Sequence, residues 1–157
     1  MSRDATTEGP GRWPDAALDD GPPNARVLIV DDHDVSRRIC AALCELFHCA
    51  YECVSSGAEA IEALRRRPFD LVLMDIRMPG MNGLEAASAI RGLPEPAGRT
   101  PIVAVTSDAG DVEAGTYLAS GMADVVPKPI TPSRLHKAIT AALARPGHEP
   151  RSWASAG

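Results

Sequence analysis

The chain has 157 residues, of which 45% are hydrophobic and only 4% aromatic, and its formal net charge is −5 at pH 7. This length suits one domain with a sizeable core, and the acidic balance gives no sign of a nucleic-acid partner. No apolar run reaches the length of a membrane span and no signal peptide opens the chain, so we expect a cytoplasmic location and no membrane partner.

Composition divides the chain into a central domain and two ends. Residues 1–24 contain four prolines and three glycines without a periodic apolar pattern, which predicts a disordered leader. Residues 146–157 predict a disordered tail for the same reason. The intervening residues 25–145 have a common domain size.

Strand and helix patterns alternate five times within the domain. Continuous apolar runs predict buried strands at 26–30, 51–54, 70–74, 101–106 and 124–126. Helical spacing follows each run, in the groups Ile39, Leu43, Leu46 and Phe47; Ile61 and Leu64; Leu84, Ala87 and Ile90; residues 111–120, interrupted by Gly115; and Leu135, Ile139 and Leu143. Buried strands joined by helices predict a parallel α/β sheet covered on both faces.

Two of these helices carry start signals. Ser56 and Glu59 have the spacing of a capping box. Thr131 precedes Pro132, which predicts a threonine N-cap and a proline at the first helical position.

Four cysteines, at positions 40, 44, 49 and 53, surround His48. Their spacing matches no zinc pattern. Because free cysteine behaves as a small buried hydrophobe, we expect these residues to belong to the core rather than to a metal site.

Polar residues stand where four of the predicted strands end. Asp31 and Asp32 follow the first strand, Asp75 follows the third, Thr106 ends the fourth, and Lys128 follows the fifth. Ligands of parallel α/β sheets bind beyond the carboxyl ends of the strands. We therefore expect these five side chains to converge in one crevice.

The charges of this crevice predict a divalent cation. Three carboxylates and one lysine leave an excess of two negative charges, and closely spaced carboxylates do not all stay ionised without a cation. Oxygen ligands favour Mg²⁺ over zinc. The metal and Lys128 would offset the negative charge that develops when a phosphoryl group approaches. Asp75 can then act as the nucleophile that attacks phosphorus, and Thr106 can donate a hydrogen bond to a phosphoryl oxygen.

The segments "VLIVDD", "LVLMDIRMPGMNG", "IVAVTS" and "VPKP" resemble the receiver domain of two-component response regulators, from about Arg26 to Ala144. The resemblance implies a flavodoxin-like doubly wound (βα)5 fold with a five-stranded parallel sheet in the order 2-1-3-4-5. It implies that Asp75 is the phosphoacceptor, that Thr106 is the switch hydroxyl, and that Lys128 pairs with the phosphoryl group.

The resemblance also implies a set of metal ligands. Asp32, Asp75 and the backbone carbonyl of Arg77 would bind Mg²⁺ directly, and Asp31 would act largely through water. The bond between Lys128 and Pro129 is typically cis in the family.

Three positions next to the site vary within this pattern. Val125 stands where the family often has tyrosine or phenylalanine, so coupling of Thr106 to an aromatic ring is not expected. Arg77 and Asp108 carry opposite charges at facing loop positions. We hypothesise that they pair across the pocket mouth and restrict the hydrolytic water.

The favoured interpretation is a signalling receiver that catalyses only its own phosphorylation and dephosphorylation. It would accept a phosphoryl group from a phosphohistidine on a histidine kinase or histidine phosphotransfer protein, and signal by protein contact, with a homodimer possible, or by onward transfer. An alternative is a receiver excised from a hybrid histidine kinase, which the motifs also resemble. A receiver fold that binds partners without phosphorylation ranks lower because the site residues are complete. A haloacid-dehalogenase-type phosphatase ranks low because Arg77 stands where its second aspartate is needed.

Overall fold

A computed structural model describes residues 25–107 and 110–144. The predicted leader, the predicted tail and Asp108 lie outside these ranges, so the predictions made for them stay predictions. Within the described ranges, no helix is long and apolar enough to cross a membrane.

Five strands alternate with five α-helices. In chain order they are β1 (Arg26–Val30), α1 (Asp34–Leu46), β2 (Ala50–Val54), α2 (Gly57–Arg66), β3 (Leu71–Asp75), α3 (Gly83–Arg91), a 3-10 turn (Ala97–Arg99), β4 (Ile102–Thr106), α4 (Asp111–Ala119), β5 (Asp124–Pro127) and α5 (Pro132–Leu143). All strand pairs are parallel, and the sheet order is β2-β1-β3-β4-β5. The predicted fold class is confirmed.

The register of the sheet brings the strand ends to one edge. Val30, the last residue of β1, pairs with Met74 of β3, and Asp75 pairs with Val105 of β4. The next residue of β4, Thr106, pairs with Pro127, the last residue of β5. Asp75, Thr106 and the residues directly after β1 and β5 therefore lie at one edge of the sheet.

Helices cover both faces of the sheet. Alternate residues of each strand point to opposite faces, so neighbouring residues belong to different core clusters. Leu28 and Val30 of β1 pack with residues of α2, α3 and α4 in one core cluster. Val27 and Ile29 pack with residues of α1 and α5 in the other. Strands β1 and β3, which carry or precede the acidic residues, are therefore covered on both faces.

The predicted stripe of the first helix is confirmed in part, because Phe47 is buried and Leu43 and Leu46 pack, partly buried, against the same core cluster. Cys40 and Cys44 of α1 are also buried, whereas Ile39 is 47% exposed. The prediction that Ile39 lies in the core was wrong, because the buried stripe runs through the cysteines next to it. The prediction for the cysteines holds for Cys40, Cys44 and Cys49, which are buried, and was wrong for Cys53, which is exposed on the edge strand β2.

The helix starts agree largely with the prediction. The Ser56 hydroxyl accepts from the Glu59 N–H at 3.1 Å, while the Glu59 carboxylate accepts from the neighbouring Ser55 N–H instead of closing the box on Ser56. The Thr131 hydroxyl accepts from the Arg134 N–H at 3.3 Å. Helix α4 continues through Gly115.

Candidate functional site

Asp75 is the last residue of β3 rather than the first residue beyond it, and it is only 3% exposed. The loop after Asp75 is closed by a hydrogen bond between its two ends, in which the N–H of Gly83 donates to the carbonyl of Ile76 at 2.9 Å. A Cβ atom on Gly83 would lie 2.6 Å from the carbonyl oxygen of Asp75. Glycine at the start of α3 therefore permits this helix to pack directly against the backbone that carries Asp75.

The N-terminus of helix α3 is also fixed by a full capping box, which the sequence analysis did not predict. The Asn82 side chain accepts from the Glu85 N–H, and the Glu85 carboxylate accepts from the Asn82 N–H, both at 2.9 Å. This box anchors the far end of the loop that follows Asp75.

The acidic pair lies between the end of β1 and the start of α1. The carboxylate of Asp31, which is 3% exposed, accepts from the backbone N–H of His33 at 2.9 Å. The N–H of Asp31 donates to the carbonyl of Val54 in the edge strand at 3.2 Å. The side chain of Asp32 is more open, at 23% exposed.

Lys128 connects the last strand to the two buried carboxylates. Its Nζ atom lies 3.3 Å from Oδ1 of Asp75 and 3.5 Å from Oδ2 of Asp31. The N–H of Lys128 donates to the carbonyl of Thr106 at 2.9 Å, and the bond from Lys128 to Pro129 is cis, as the resemblance implied. These contacts bring four of the predicted strand-end residues into one network.

The surroundings of Asp75 act on its pKa in opposite directions. Burial and the neighbouring Asp31 carboxylate raise the pKa of Asp75, while Lys128 and the backbone N–H of Arg77 oppose this rise. The Oδ2 atom of Asp75 is buried and has no hydrogen-bond partner among the described residues. A buried carboxylate oxygen without a partner is costly unless a ligand completes its surroundings.

Four side chains in this crevice offer ligand atoms that all lie within 4.8 Å of one another: Asp31, Asp32, His33 and Asp75. The sequence predicted the three aspartates but not His33. Its position directly after the acidic pair was the available signal. Hard carboxylate oxygens fit Mg²⁺, which prefers oxygen ligands and usually keeps several waters.

The other predicted residues are placed as follows. Thr106 ends β4 at the same edge and is 1% exposed. Val125 is buried in the cluster that also holds Tyr117 and Met122. Arg77 is exposed at its side chain, and the position of its predicted partner, Asp108, lies outside the described residues.

Residues 27–140 match the profile of the response regulator receiver domain. The transcription factor SKN7 of Candida albicans is 36% identical over 124 residues, which are 79% of this chain and 22% of that protein. The signal transduction histidine-protein kinase BarA of Escherichia coli K12 is 39% identical over 113 residues, 72% of this chain and 12% of the kinase. The chain therefore spans less than a quarter of the length of these relatives.

Solved structures show the same fold. The receiver domain of the sensor histidine kinase PA1611 of Pseudomonas aeruginosa, solved with a magnesium ion coordinated in its active site cleft, matches with a TM-score of 0.71 at 27% identity, covering 78% of this chain and 99% of that one. The chemotaxis protein CheY4 of Vibrio cholerae matches with a TM-score of 0.71 at 27% identity, covering 76% of this chain and 99% of that one.

Proposed function

Because the chain belongs to the response regulator receiver domain family of two-component signalling, we propose that it accepts a phosphoryl group on Asp75 in a Mg²⁺-dependent reaction. The observation that carries this proposal is the buried Oδ2 atom of Asp75. It lacks a hydrogen-bond partner among the described residues, while Oδ1 of the same carboxylate faces Lys128 at 3.3 Å. One oxygen is thus paired and the other is left for a ligand or a reacting atom.

In the proposed transfer, a carboxylate oxygen of Asp75 attacks phosphorus and forms an acyl phosphate. The bond from phosphorus to the imidazole nitrogen of the donor phosphohistidine breaks, and that nitrogen keeps the electron pair and takes up a proton. Lys128 stabilises negative charge on the phosphoryl oxygens. Thr106, at the end of β4, supplies a hydroxyl at the same edge of the sheet.

The residues that would hold Mg²⁺ are Asp32 and Asp75, with the Arg77 carbonyl as a further ligand and Asp31 acting through water. When bound, Mg²⁺ neutralises the carboxylates and polarises the phosphoryl oxygens. The donor set fits this ion, because Asp31, Asp32 and Asp75 place oxygens within 4.8 Å of one another and the magnesium-bearing receiver of PA1611 has the same fold.

The phosphoryl donor would be a histidine kinase or a histidine phosphotransfer protein, and output would be a protein contact or onward transfer. Similarity to the kinase BarA supports a donor of this class and is compatible with a receiver from a hybrid kinase. The proposed chemistry ends with the protein's own phosphorylation and dephosphorylation, so we propose no separate enzymatic substrate.

Intact-protein mass spectrometry after incubation with phosphoramidate tests the proposal. We expect one phosphoryl adduct that requires Mg²⁺, disappears with EDTA, and is absent from Asp75→Asn. The matched control is Asp34→Asn, an exposed aspartate at the start of α1, which should keep the adduct. An adduct that persists in Asp75→Asn would overturn the assignment. Failure with both phosphoramidate and a phosphorylated histidine kinase would favour a receiver fold that binds partners without phosphorylation.

A further inference from the structure

His33 faces the acidic pair although its side chain is 68% exposed. Its Nδ1 atom lies 3.1 Å from Oδ1 of Asp32 and 3.5 Å from Oδ1 of Asp31. Its backbone is held in place, because the His33 N–H donates to the Asp31 carboxylate at 2.9 Å and His33 is the N-cap residue of α1. The backbone that carries the imidazole ring is therefore fixed beside the carboxylates.

The shorter of these distances, from His33 to Asp32, fits two neighbouring ligands around one cation. Two adjacent ligands of an octahedral ion with bonds of about 2.1 Å lie about 3.0 Å apart, close to the 3.1 Å between Nδ1 of His33 and Oδ1 of Asp32. That Asp32 oxygen is buried and makes no hydrogen bond to the described residues, and His33 lies in ion-pair distance of it. Asp75 adds a second buried oxygen without a partner. Two buried carboxylate oxygens without hydrogen-bond partners in one crevice favour a shared positive charge.

We propose that His33 supplies a nitrogen ligand to the cation site, so that the site binds Co²⁺ and Ni²⁺ in preference to Mg²⁺. This inference rests on the cation site of the proposed function and adds a specificity-determining residue to it. An imidazole nitrogen suits first-row transition metals, whereas Mg²⁺ favours oxygen. His33 thus makes the donor set mixed, because it adds one nitrogen to the oxygen ligands of the proposed cation site.

Isothermal titration calorimetry of the full chain with Mg²⁺, Co²⁺ and Ni²⁺ tests this assignment. All proteins would carry Cys53→Ser, because an exposed thiol is itself a transition-metal ligand. We expect His33→Asn to weaken Co²⁺ and Ni²⁺ binding by about tenfold or more, since even groups that only orient a metal ligand contribute about 10–100-fold to affinity. Mg²⁺ affinity should change much less. The visible absorption of bound Co²⁺ should change in the same variant.

Two further variants make the result specific. His33→Ala removes the nitrogen without offering an amide oxygen, and should lose transition-metal affinity at least as strongly. His48→Asn removes an exposed histidine remote from the acidic pair, at a position with φ of 61° that asparagine tolerates. It should leave all three affinities unchanged.

The outcomes separate this inference from the proposed function. If Mg²⁺ binds and Asp75→Asn weakens it, but His33→Asn leaves Co²⁺ and Ni²⁺ affinity unchanged, His33 only forms an ion pair with the aspartates and the inference fails. It also fails if His33→Asn weakens all three cations equally, since His33 then only shapes the site. If Mg²⁺ does not bind at all, the proposed function itself fails.

Discussion

The ammonium group of Lys128 lies 3.3 Å from Oδ1 of Asp75, although 53 positions separate the two residues in the chain. Asp75 is fixed by the central strand β3, and Lys128 follows the edge strand β5. This contact, together with the one from Lys128 to Asp31, sets the charge of the crevice.

Replacing Lys128 with methionine should separate cation binding from phosphorylation. Removal of a positive charge beside the carboxylates should strengthen Mg²⁺ binding by roughly an order of magnitude, while loss of a group that stabilises the phosphoryl charge should slow adduct formation by about 100-fold. Titration calorimetry and timed intact-mass measurements give the two quantities. Lys137→Met, at the only other lysine of the chain and exposed on α5, is the control. Equal weakening of both processes would contradict the assigned role.

Asp75→Asn should stabilise the metal-free protein at neutral pH. Burial and Asp31 raise the pKa of Asp75, so the folded state holds this proton more tightly than the unfolded chain does, and ionised Asp75 opposes folding. We expect the variant to melt about 3–5 °C higher at pH 7, which corresponds to ~1 kcal/mol in a domain of this size. The difference should shrink as the pH falls through the raised pKa, where the wild type takes up the proton. It should also shrink when Mg²⁺ is added. A variant that melts lower at pH 7 without metal would argue against uncompensated charge.

Two glycine-to-alanine variants should change stability in opposite directions. Gly115 is exposed in α4 and a Cβ there would meet nothing within 4 Å, so Gly115→Ala should raise the free energy of unfolding by about 0.5–1 kcal/mol. At Gly83 a Cβ would meet backbone of Asp75 and Ile76 at 2.6 and 2.7 Å. Gly83→Ala should therefore lower the free energy of unfolding and slow phosphorylation of Asp75 by displacing α3. Urea denaturation measures the free energy of unfolding of each variant. Similar free energies of unfolding for Gly115→Ala and Gly83→Ala would refute the packing argument.

The cysteines should differ sharply in reactivity. Burial raises the pKa of Cys40 to about 12 and that of Cys49 to about 11, and it also raises the pKa of Cys44. Because the thiolate is the reactive form, Ellman's reagent should modify only Cys53 in the native protein at pH 8, and four thiols after denaturation. Cys53→Ser should abolish the native reaction. Rapid modification of more than one thiol in the native protein would show that the α1 side of the core opens readily.

The sheet and the aspartates of the site could be predicted because both depend on simple patterns. Apolar runs buried on two faces mark the strands, and parallel pairing brings their ends to one edge whatever the details of packing. The places of Asp31, Asp32 and Asp75 at this edge follow from the strand pattern and the parallel pairing alone. Lys128 follows too, since its place after β5 brings it to the same edge.

Other features depend on exposure and ring orientation, which a single sequence does not determine. Ile39 and Cys40 are neighbours in α1, and only packing against the sheet decides that the cysteine faces inwards. His33 was missed because its ring position depends on the local turn that bonds its N–H to Asp31. The capping box of Asn82 and Glu85 had the right spacing in the sequence and was overlooked beside the turn residues before it.

The central claim is that Asp75, and neither of the other two aspartates in the crevice, carries the phosphoryl group. Borohydride reduction of the protein after incubation with phosphoramidate and Mg²⁺ converts an acyl phosphate to an alcohol, which turns the modified aspartate into homoserine. Peptide mapping by tandem mass spectrometry then locates that residue. We predict homoserine at position 75 alone, and none without Mg²⁺. Homoserine at position 31 or 32, with position 75 unchanged, would contradict the account.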